Sequence, residues 1–289
     1  MPIILALSAC LVFSYATSLF ADFSRAVSGK WINCFKLTVA SFFFLLIGLF
    51  MRDGMIRSTI PLFMVSGALG LFLADHFLCE AFGKIGSART LLIFSFAPFF
   101  VACWSYLFFG EKLSPQKLIA ICFFVACVIT LSLEKLKIEG RWEITGLVLA
   151  FSGVLLDGLA NVITSYGFRV APENGVFSVC ALRAAGAFIA FLLLNPFLKV
   201  KLIENFNKLN SHKKRLAIVA SFLGAFLSLT LWISAVKRGN LTTLVSLSGI
   251  TPVFAAIFEV ARGKTKFSKY LGLAFVFYFI GFYYLVIKA

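Results

Sequence analysis

Apolar stretches of about 20 residues recur along the 289-residue chain, separated by charged residues or by Gly, Asn and Pro. Folded as a helix, such a stretch spans the hydrocarbon core of a bilayer, which is about 30 Å thick. The pattern therefore predicts an all-α integral membrane protein. It has ten predicted membrane-spanning helices, at residues 2–20, 33–51, 60–80, 88–109, 116–134, 145–166, 175–196, 215–236, 241–261 and 269–287.

The second half of the chain repeats part of the first. Shifted by 154 positions, residues 67–131 match residues 221–285 at 13 of 65 positions. The matches include Gly70 with Gly224, Pro98 with Pro252, and Lys112 with Lys266. We expect two five-helix repeats, residues 1–138 and 139–289. Because five is odd, the second repeat enters the membrane from the opposite side, which predicts inverted repeats around a central cavity.

Charge is sparse, because 61% of residues are hydrophobic and 13% are charged, against about 25% charged in soluble domains. The net charge of +15 belongs mainly to loops, where it sets orientation and contacts lipid headgroups. Its spread over many short loops argues against nucleic-acid binding. The seven cysteines lie in apolar segments without a CxxC pair, so we expect buried thiols and no metal site.

Motifs for catalysis are absent from the sequence, which has no P-loop, HExxH or GxSxG pattern. We therefore expect neither an ATP-driven pump nor an enzyme, and no cofactor. A membrane-embedded enzyme acting on lipids, or a structural subunit, is the alternative from another class. Such an enzyme would turn over its substrate in detergent, whereas a carrier would only bind there.

Short motifs in both halves resemble the EamA-type repeat of the drug/metabolite transporter superfamily. The first copy has EAFGKIGSA at 80–88, FAP at 96–98 and FGEKLS at 109–114. The second has AVKRGN at 235–240, TP at 251–252 and KFS at 266–268, and it departs from the pattern by lacking the acidic loop residue. A basic residue early in the second span of each half, Lys36 and Arg183, is also similar to the family pattern.

The resemblance implies a ten-helix carrier of small organic solutes in the bacterial cytoplasmic membrane, with helices five and ten at the periphery. It also implies cytoplasmic termini. The loop charges imply the opposite, since about 17 Lys and Arg follow the odd-numbered helices and about 8 lie on the other side. The orientation of the termini therefore stays open.

Asp157 is the deepest ionisable residue, about midway along the sixth predicted helix, and Asn161 follows one turn later on the same face. A charge at such a position costs about 2.5–3.5 kcal/mol and usually faces a cavity or a partner. We expect Asp157 to bind substrate or to handle protons, with a structural ion pair as the alternative. Trp232 and Tyr166 are candidate aromatic walls.

The third predicted helix carries Asp75, His76 and Glu80, and the last two share a face. The 154-residue offset relates His76 and Glu80 to Thr230 and Ser234, so both copies keep polar groups on one stripe. The stripe is predicted to face the interior, where a His or a buried carboxylate couples proton movement to transport. The alternative is a mutual network near the cavity mouth.

Lys36 and Arg183 lie about one turn inside their helices and are candidates to hold a substrate carboxylate or phosphate. The alternatives are that they extend to the headgroups or bridge a neighbouring helix. Pro98 and Pro252 fall about ten residues into the fourth and ninth helices. We interpret them as symmetry-related gating kinks, with static packing kinks as the alternative. Glu259, near the end of the ninth helix, is expected at the interface.

The sequence thus predicts a secondary active transporter that moves a small polar or zwitterionic metabolite, such as an amino acid or a derivative, by alternating access. Protons are the candidate coupling ion, and the protein is expected to be a monomer or a homodimer in contact with lipids. The alternatives are an exporter of organic cations or drugs, and an exchanger of nucleotide-type metabolites.

Overall fold

The computed structural model describes residues 1–50, 54–110, 115–139, 143–264 and 268–286. Ten long helices run through these residues, and a short helix, Leu202–Asn207, lies between the seventh and the eighth. We number the long helices α1 Pro2–Ala26, α2 Gly29–Phe50, α3 Arg57–Ile85, α4 Ser87–Phe94 with Ala97–Phe109, α5 Pro115–Glu139, α6 Ile144–Val170, α7 Val176–Leu198, α8 Ser211–Arg238, α9 Leu241–Ser248 with Thr251–Ala261, and α10 Lys269–Val286.

Eight of the described helices are long and apolar enough to cross a membrane. In α5 and α10 the described apolar stretches are shorter, Ile119–Thr130 and Lys269–Tyr284. These two helices pack mainly against each other. The prediction of an all-helical membrane protein is confirmed, while the role of α5 and α10 as spans stays a prediction.

The structure repeats with the offset found in the sequence. Residues 154 positions apart begin equivalent segments: Ala68 and Phe222 begin π-helical turns, Ser87 and Leu241 begin α4 and α9, and Ala97 and Thr251 begin their second segments. Lys112 and Lys266 of the sequence repeat lie outside the described residues. Because these boundaries are shared, the repeat is present in the backbone geometry as well as in the residue types.

The two repeats interlock. Helix α1 packs against α8 and α9 of the second repeat, and α6 packs in the same way against α3 and α4 of the first. Ser14 Oγ in α1 contacts the Thr251 carbonyl in α9 at 3.0 Å, and its single proton is donated either there or to the Cys10 carbonyl at 2.6 Å. Each repeat therefore supplies the first helix that completes the core of the other.

Helices α3 and α7 approach backbone to backbone at two glycines. A Cβ added at Gly67 would lie 1.9 Å from the carbonyl oxygen of Arg183, and one at Gly186 would lie 2.1 Å from that of Met64. No side chain fits at such distances, and small residues are the usual means of close helix packing in membranes. This contact places Arg183 against the middle of α3.

Candidate functional site

A cavity lies within the bundle, between α1–α4 and α6–α9, and offers about 110 Å³ to the centres of water molecules. Small and apolar side chains form most of its wall. The polar side chains of the wall are Lys36, Asp75, Asp157, Asn161, Arg183, Ser228, Trp232, Ser248 and Thr251. Of the predicted site residues, the structure brings six together here: Lys36, Asp75, Asp157, Asn161, Arg183 and Trp232.

The π-helical turns shape two parts of this wall. Each contains a glycine that lines the cavity, Gly70 in α3 and Gly224 in α8. A π-helical turn contains one more residue than an α-helical turn, so the side chains that follow it point in a different direction around the helix axis. The residues directly after the two turns, Asp75 and Ser228, both line the cavity.

Lys36 and Asp75 form an ion pair across α2 and α3. Lys36 Nζ lies 2.7 Å from Asp75 Oδ2, and the lysine side chain is only 3% exposed. The ammonium group also lies 5.3 Å from the centre of the Phe20 ring, a favourable cation–π position. Because a buried charge is costly without a partner, the pair largely neutralises both groups.

Asp157 is held by a hydrogen-bond chain that reaches from α6 to α8. Asn161 Nδ2 donates to Asp157 Oδ2 at 2.9 Å and to the Asp157 carbonyl at 3.0 Å. Trp232 Nε1 in turn donates to Asn161 Oδ1 at 2.9 Å. The amide is therefore engaged at both ends, which fixes the orientation of the carboxylate at the cavity wall.

Arg183 of α7 is buried against α6 and α3, with 2% of the residue exposed. Its Nη1 donates to Thr164 Oγ1, and Thr164 Oγ1 donates to Ser66 Oγ at 3.2 Å or to the Ala160 carbonyl at 2.8 Å. Its Nε has no hydrogen-bond partner in the described part of the chain. The guanidinium thus has unused donors at a site where polar groups are normally satisfied.

The remaining predicted polar residues lie outside the cavity wall. Glu80 Oε1 accepts the Lys30 backbone N–H at 3.0 Å and so caps the start of α2. The His76 ring packs near Phe72, at 6.5 Å between ring centres. Thr230 Oγ1 in α8 donates to the carbonyl one turn earlier.

Ser234 also lies away from the cavity wall, and its carbonyl accepts from Arg238 at 3.2 Å. The stripe predicted from the repeat, His76 and Glu80 with Thr230 and Ser234, therefore does not line the cavity. Asp75, next to His76 in α3, does. Tyr166, predicted as an aromatic wall, does not line the cavity and is 42% exposed near the end of α6.

Pro98 and Pro252 are the second residues of the second segments of α4 and α9. Proline is tolerated there because the N–H it lacks would be unpaired at a helix start. The helix break precedes each proline, and Thr251, next to Pro252, lines the cavity. Both helices are thus interrupted beside the cavity at symmetry-related points.

Glu259 has a role that the sequence analysis missed. It is 5% exposed, and its Oε1 accepts from the Ser87 N–H at 2.9 Å, from the Ser87 hydroxyl, and from the Ala88 N–H at 3.2 Å. The carboxylate at the end of α9 caps the start of α4. Only the expected closeness of these ends in an inverted fold could have suggested the contact.

Asn33 was missed as well. Its Nδ2 donates to the Phe72 carbonyl at 2.9 Å, inside the π-helical turn of α3. A π-helical turn disturbs the regular backbone hydrogen bonds, so an amide side chain from α2 satisfies one of its carbonyls. No pattern in the sequence marks such a turn.

A bundle of apolar helices around a cavity lined by charged side chains defines the class of protein: a multi-pass membrane protein with an internal polar cavity. The sequence model of the EamA-like transporter family matches residues 1–133 and again residues 142–287. The chain therefore belongs to the EamA-like transporter family, and it is a membrane transporter of the drug/metabolite transporter type. The resemblance seen in the sequence is confirmed.

The fold is also similar to solved structures. One, titled "Crystal structure of protein", matches with a TM-score of 0.70 at 18% sequence identity, covering 100% of this chain and 97% of the other. At that identity the likeness shows the fold alone. No curated protein matches the sequence significantly.

Proposed function

We propose that the protein is a secondary active transporter of a small polar or zwitterionic metabolite, with an amino acid or a derivative as the first candidate. The observation that carries this proposal is the charge content of the cavity. Two cationic and two anionic side chains, Lys36, Arg183, Asp75 and Asp157, line one internal cavity. Charges within membrane helices are rare and mark substrate or ion pathways.

The size of the cavity supports a small solute. Its volume of about 110 Å³ lies below the range of about 300–1,000 Å³ that is usual for pockets of drug-sized ligands. A nucleotide is of that larger size, whereas an amino acid is much smaller. This comparison favours the amino-acid class over the nucleotide-type alternative.

The proposed mechanism is alternating access by two inverted repeats. The start of α4 contacts the end of α9, and the start of α9 contacts the second segment of α4, so the two helices run antiparallel. The breaks before Pro98 and Pro252 then give each repeat a hinge beside the cavity. On this proposal the segments of α4 and α9 close opposite ends of the cavity in turn.

Export of organic cations is a second candidate, because Asp157 and the Trp232 ring lie together at the cavity wall. A carboxylate beside an aromatic ring suits an organic cation. The proposal also places the protein in the bacterial cytoplasmic membrane, as a monomer or homodimer without catalytic activity.

Uptake into proteoliposomes tests the proposal. Purified protein is reconstituted and offered radiolabelled L-amino acids and tetraphenylphosphonium, with protein-free liposomes as the baseline and imposed pH gradients to detect proton coupling. We expect uptake of at least one amino acid, reduced tenfold or more by Asp157→Asn and unchanged by Lys208→Gln in the exposed loop. Uptake of the cation alone would favour the exporter, and product formation in detergent would favour an enzyme.

A further inference from the structure

The two buried cations of the cavity differ in how they are satisfied. Lys36 has a carboxylate partner at 2.7 Å in Asp75. Arg183 has no carboxylate within 4 Å among the described residues, and its one hydrogen bond from Nη1 goes to the hydroxyl of Thr164. From the sequence the two positions are equivalent, but in the structure only the arginine has capacity for another anion.

Arg183 and Asp157 approach each other beside Gly70 of α3. A Cβ at Gly70 would lie 2.8 Å from Ala160 Cβ, 3.2 Å from Arg183 Nη2 and 4.0 Å from Asp157 Oδ1. The glycine therefore permits the close contact of α3 with α6. The fixed cation and the fixed anion lie near the same point of the cavity wall.

The two groups are rigidly presented. Thr164 holds one end of the guanidinium, and Asn161, itself held by Trp232, orients the Asp157 carboxylate. A guanidinium forms paired hydrogen bonds with a planar carboxylate, for which its geometry is suited. The Asp157 carboxylate nearby repels a bare anion and attracts an ammonium group.

We propose that Arg183 receives the carboxylate of the substrate while Asp157 faces its ammonium group, so that the site selects an α-amino-acid-type zwitterion. The Lys36–Asp75 ion pair stays intact when substrate binds and contributes no net charge to the site. This inference rests on the proposed function, because it names the substrate class and the role of each charge in the same cavity.

Nuclear magnetic resonance of arginine side chains tests the inference without transport. Protein labelled with ¹⁵N-arginine is studied in detergent micelles, and the Nε–H signal of Arg183 is assigned by its loss in Arg183→Lys. The probes are glycine, acetate, acetamide and inorganic phosphate at matched ionic strength. We expect glycine to shift this signal saturably, acetate to do so more weakly, and acetamide to leave it unmoved. Arg238→Gln, which removes an exposed guanidinium outside the cavity, is the matched control.

Asp157→Asn gives the sharper result. Removing the negative charge is expected to strengthen acetate binding about tenfold and to weaken glycine binding by a similar factor. Equal effects on both probes, phosphate binding tighter than glycine, or a signal that no probe moves would overturn the inference. If this variant does not fold, the order of the four probes on the unaltered protein decides the question.

The two proposals fail in different ways. Uptake of a solute without a carboxylate, combined with no glycine effect on the Arg183 signal, would refute the zwitterion site and leave a transporter. A glycine-dependent signal without any uptake in proteoliposomes would support the site and refute the transport proposal.

Discussion

The contact between Glu259 and the start of α4 is predicted to be a main stabilising link between the two repeats. The perturbation is Glu259→Ala, which removes the carboxylate whose buried Oε1 accepts from two backbone N–H groups and one hydroxyl. The amides of Ser87 and Ala88 would then lose their partner inside the protein. Water in the membrane cannot easily replace it.

The expected cost follows from these three bonds. Hydrogen bonds to a charged group contribute about 1.5–3 kcal/mol each, and loss of a helix N-cap costs about 0.5–2 kcal/mol. Bonds that share one acceptor are not additive, so we expect a total of about 2–4 kcal/mol. Glu259→Gln keeps one oxygen as an acceptor and loses the charge, so it is expected to cost about half as much.

Thermal unfolding in detergent measures the effect. At about 2 °C per kcal/mol, Tm is expected to fall by about 4–8 °C for Glu259→Ala. Glu204→Ala is the matched control, because Glu204 lies exposed in the loop helix, where Lys208 and Lys201 hold the pKa of its carboxyl down to about 2. Exposed ion pairs contribute little, so its Tm should not change. Equal Tm values for the two alanine variants would refute the reasoning.

Three further predictions follow from described contacts. Gly67→Ala places a Cβ 1.9 Å from a backbone oxygen and should abolish folded protein in size-exclusion chromatography. Gly263 is the control: its φ is positive, but a Cβ there would meet no other atom. Gly263→Ala should therefore lower the free energy of unfolding, measured by thermal unfolding, by only about 1–2 kcal/mol. Lys36→Met should destabilise the protein by about 3–5 kcal/mol, because it leaves Asp75 buried without a partner. Adding Asp75→Leu should recover most of that stability. A double variant no more stable than Lys36→Met alone would contradict this prediction. Trp232→Phe removes the donor to Asn161 and should raise the KM of uptake several-fold while Tm stays within about 2 °C.

The sequence predicted the fold well because its signals are strong over long segments. Twenty apolar residues in a row admit few alternatives in a membrane, and the 154-residue offset reappears in the starts of the π-helical turns and of α4 and α9. The bounds of single helices were less accurate. Helix α1 continues to Ala26, beyond the predicted end at residue 20. The charged Asp22, which follows the apolar stretch, lies inside the helix and pairs with Arg262 at 2.7 Å.

The cavity was predictable in its residues but not in its pairings. Burial of Asp157 follows from its depth in an apolar span. Lys36 and Arg183 lie about two turns inside α2 and α7, deeper than the one turn that the sequence indicated. Lys36 pairs with Asp75 because the π-helical turn of α3 rotates the residues that follow it. No residue pattern predicts such a turn. Helical spacing placed His76 and Glu80 on one inward face, but Asp75 is the residue of this helix that lines the cavity, and Glu80 caps α2 instead.

The interlocked repeats have a consequence for synthesis. The contact of Ser14 with the Thr251 carbonyl joins residues 237 positions apart, so α1 enters the membrane long before its partners exist. At about 5–20 residues per second, the ribosome takes on the order of 10–50 seconds to supply them. During that interval the buried face of α1 meets lipid or other membrane proteins. We therefore expect the cavity to form only as the last helices arrive, and a chain truncated before α9 to be degraded rather than to survive as a half-carrier.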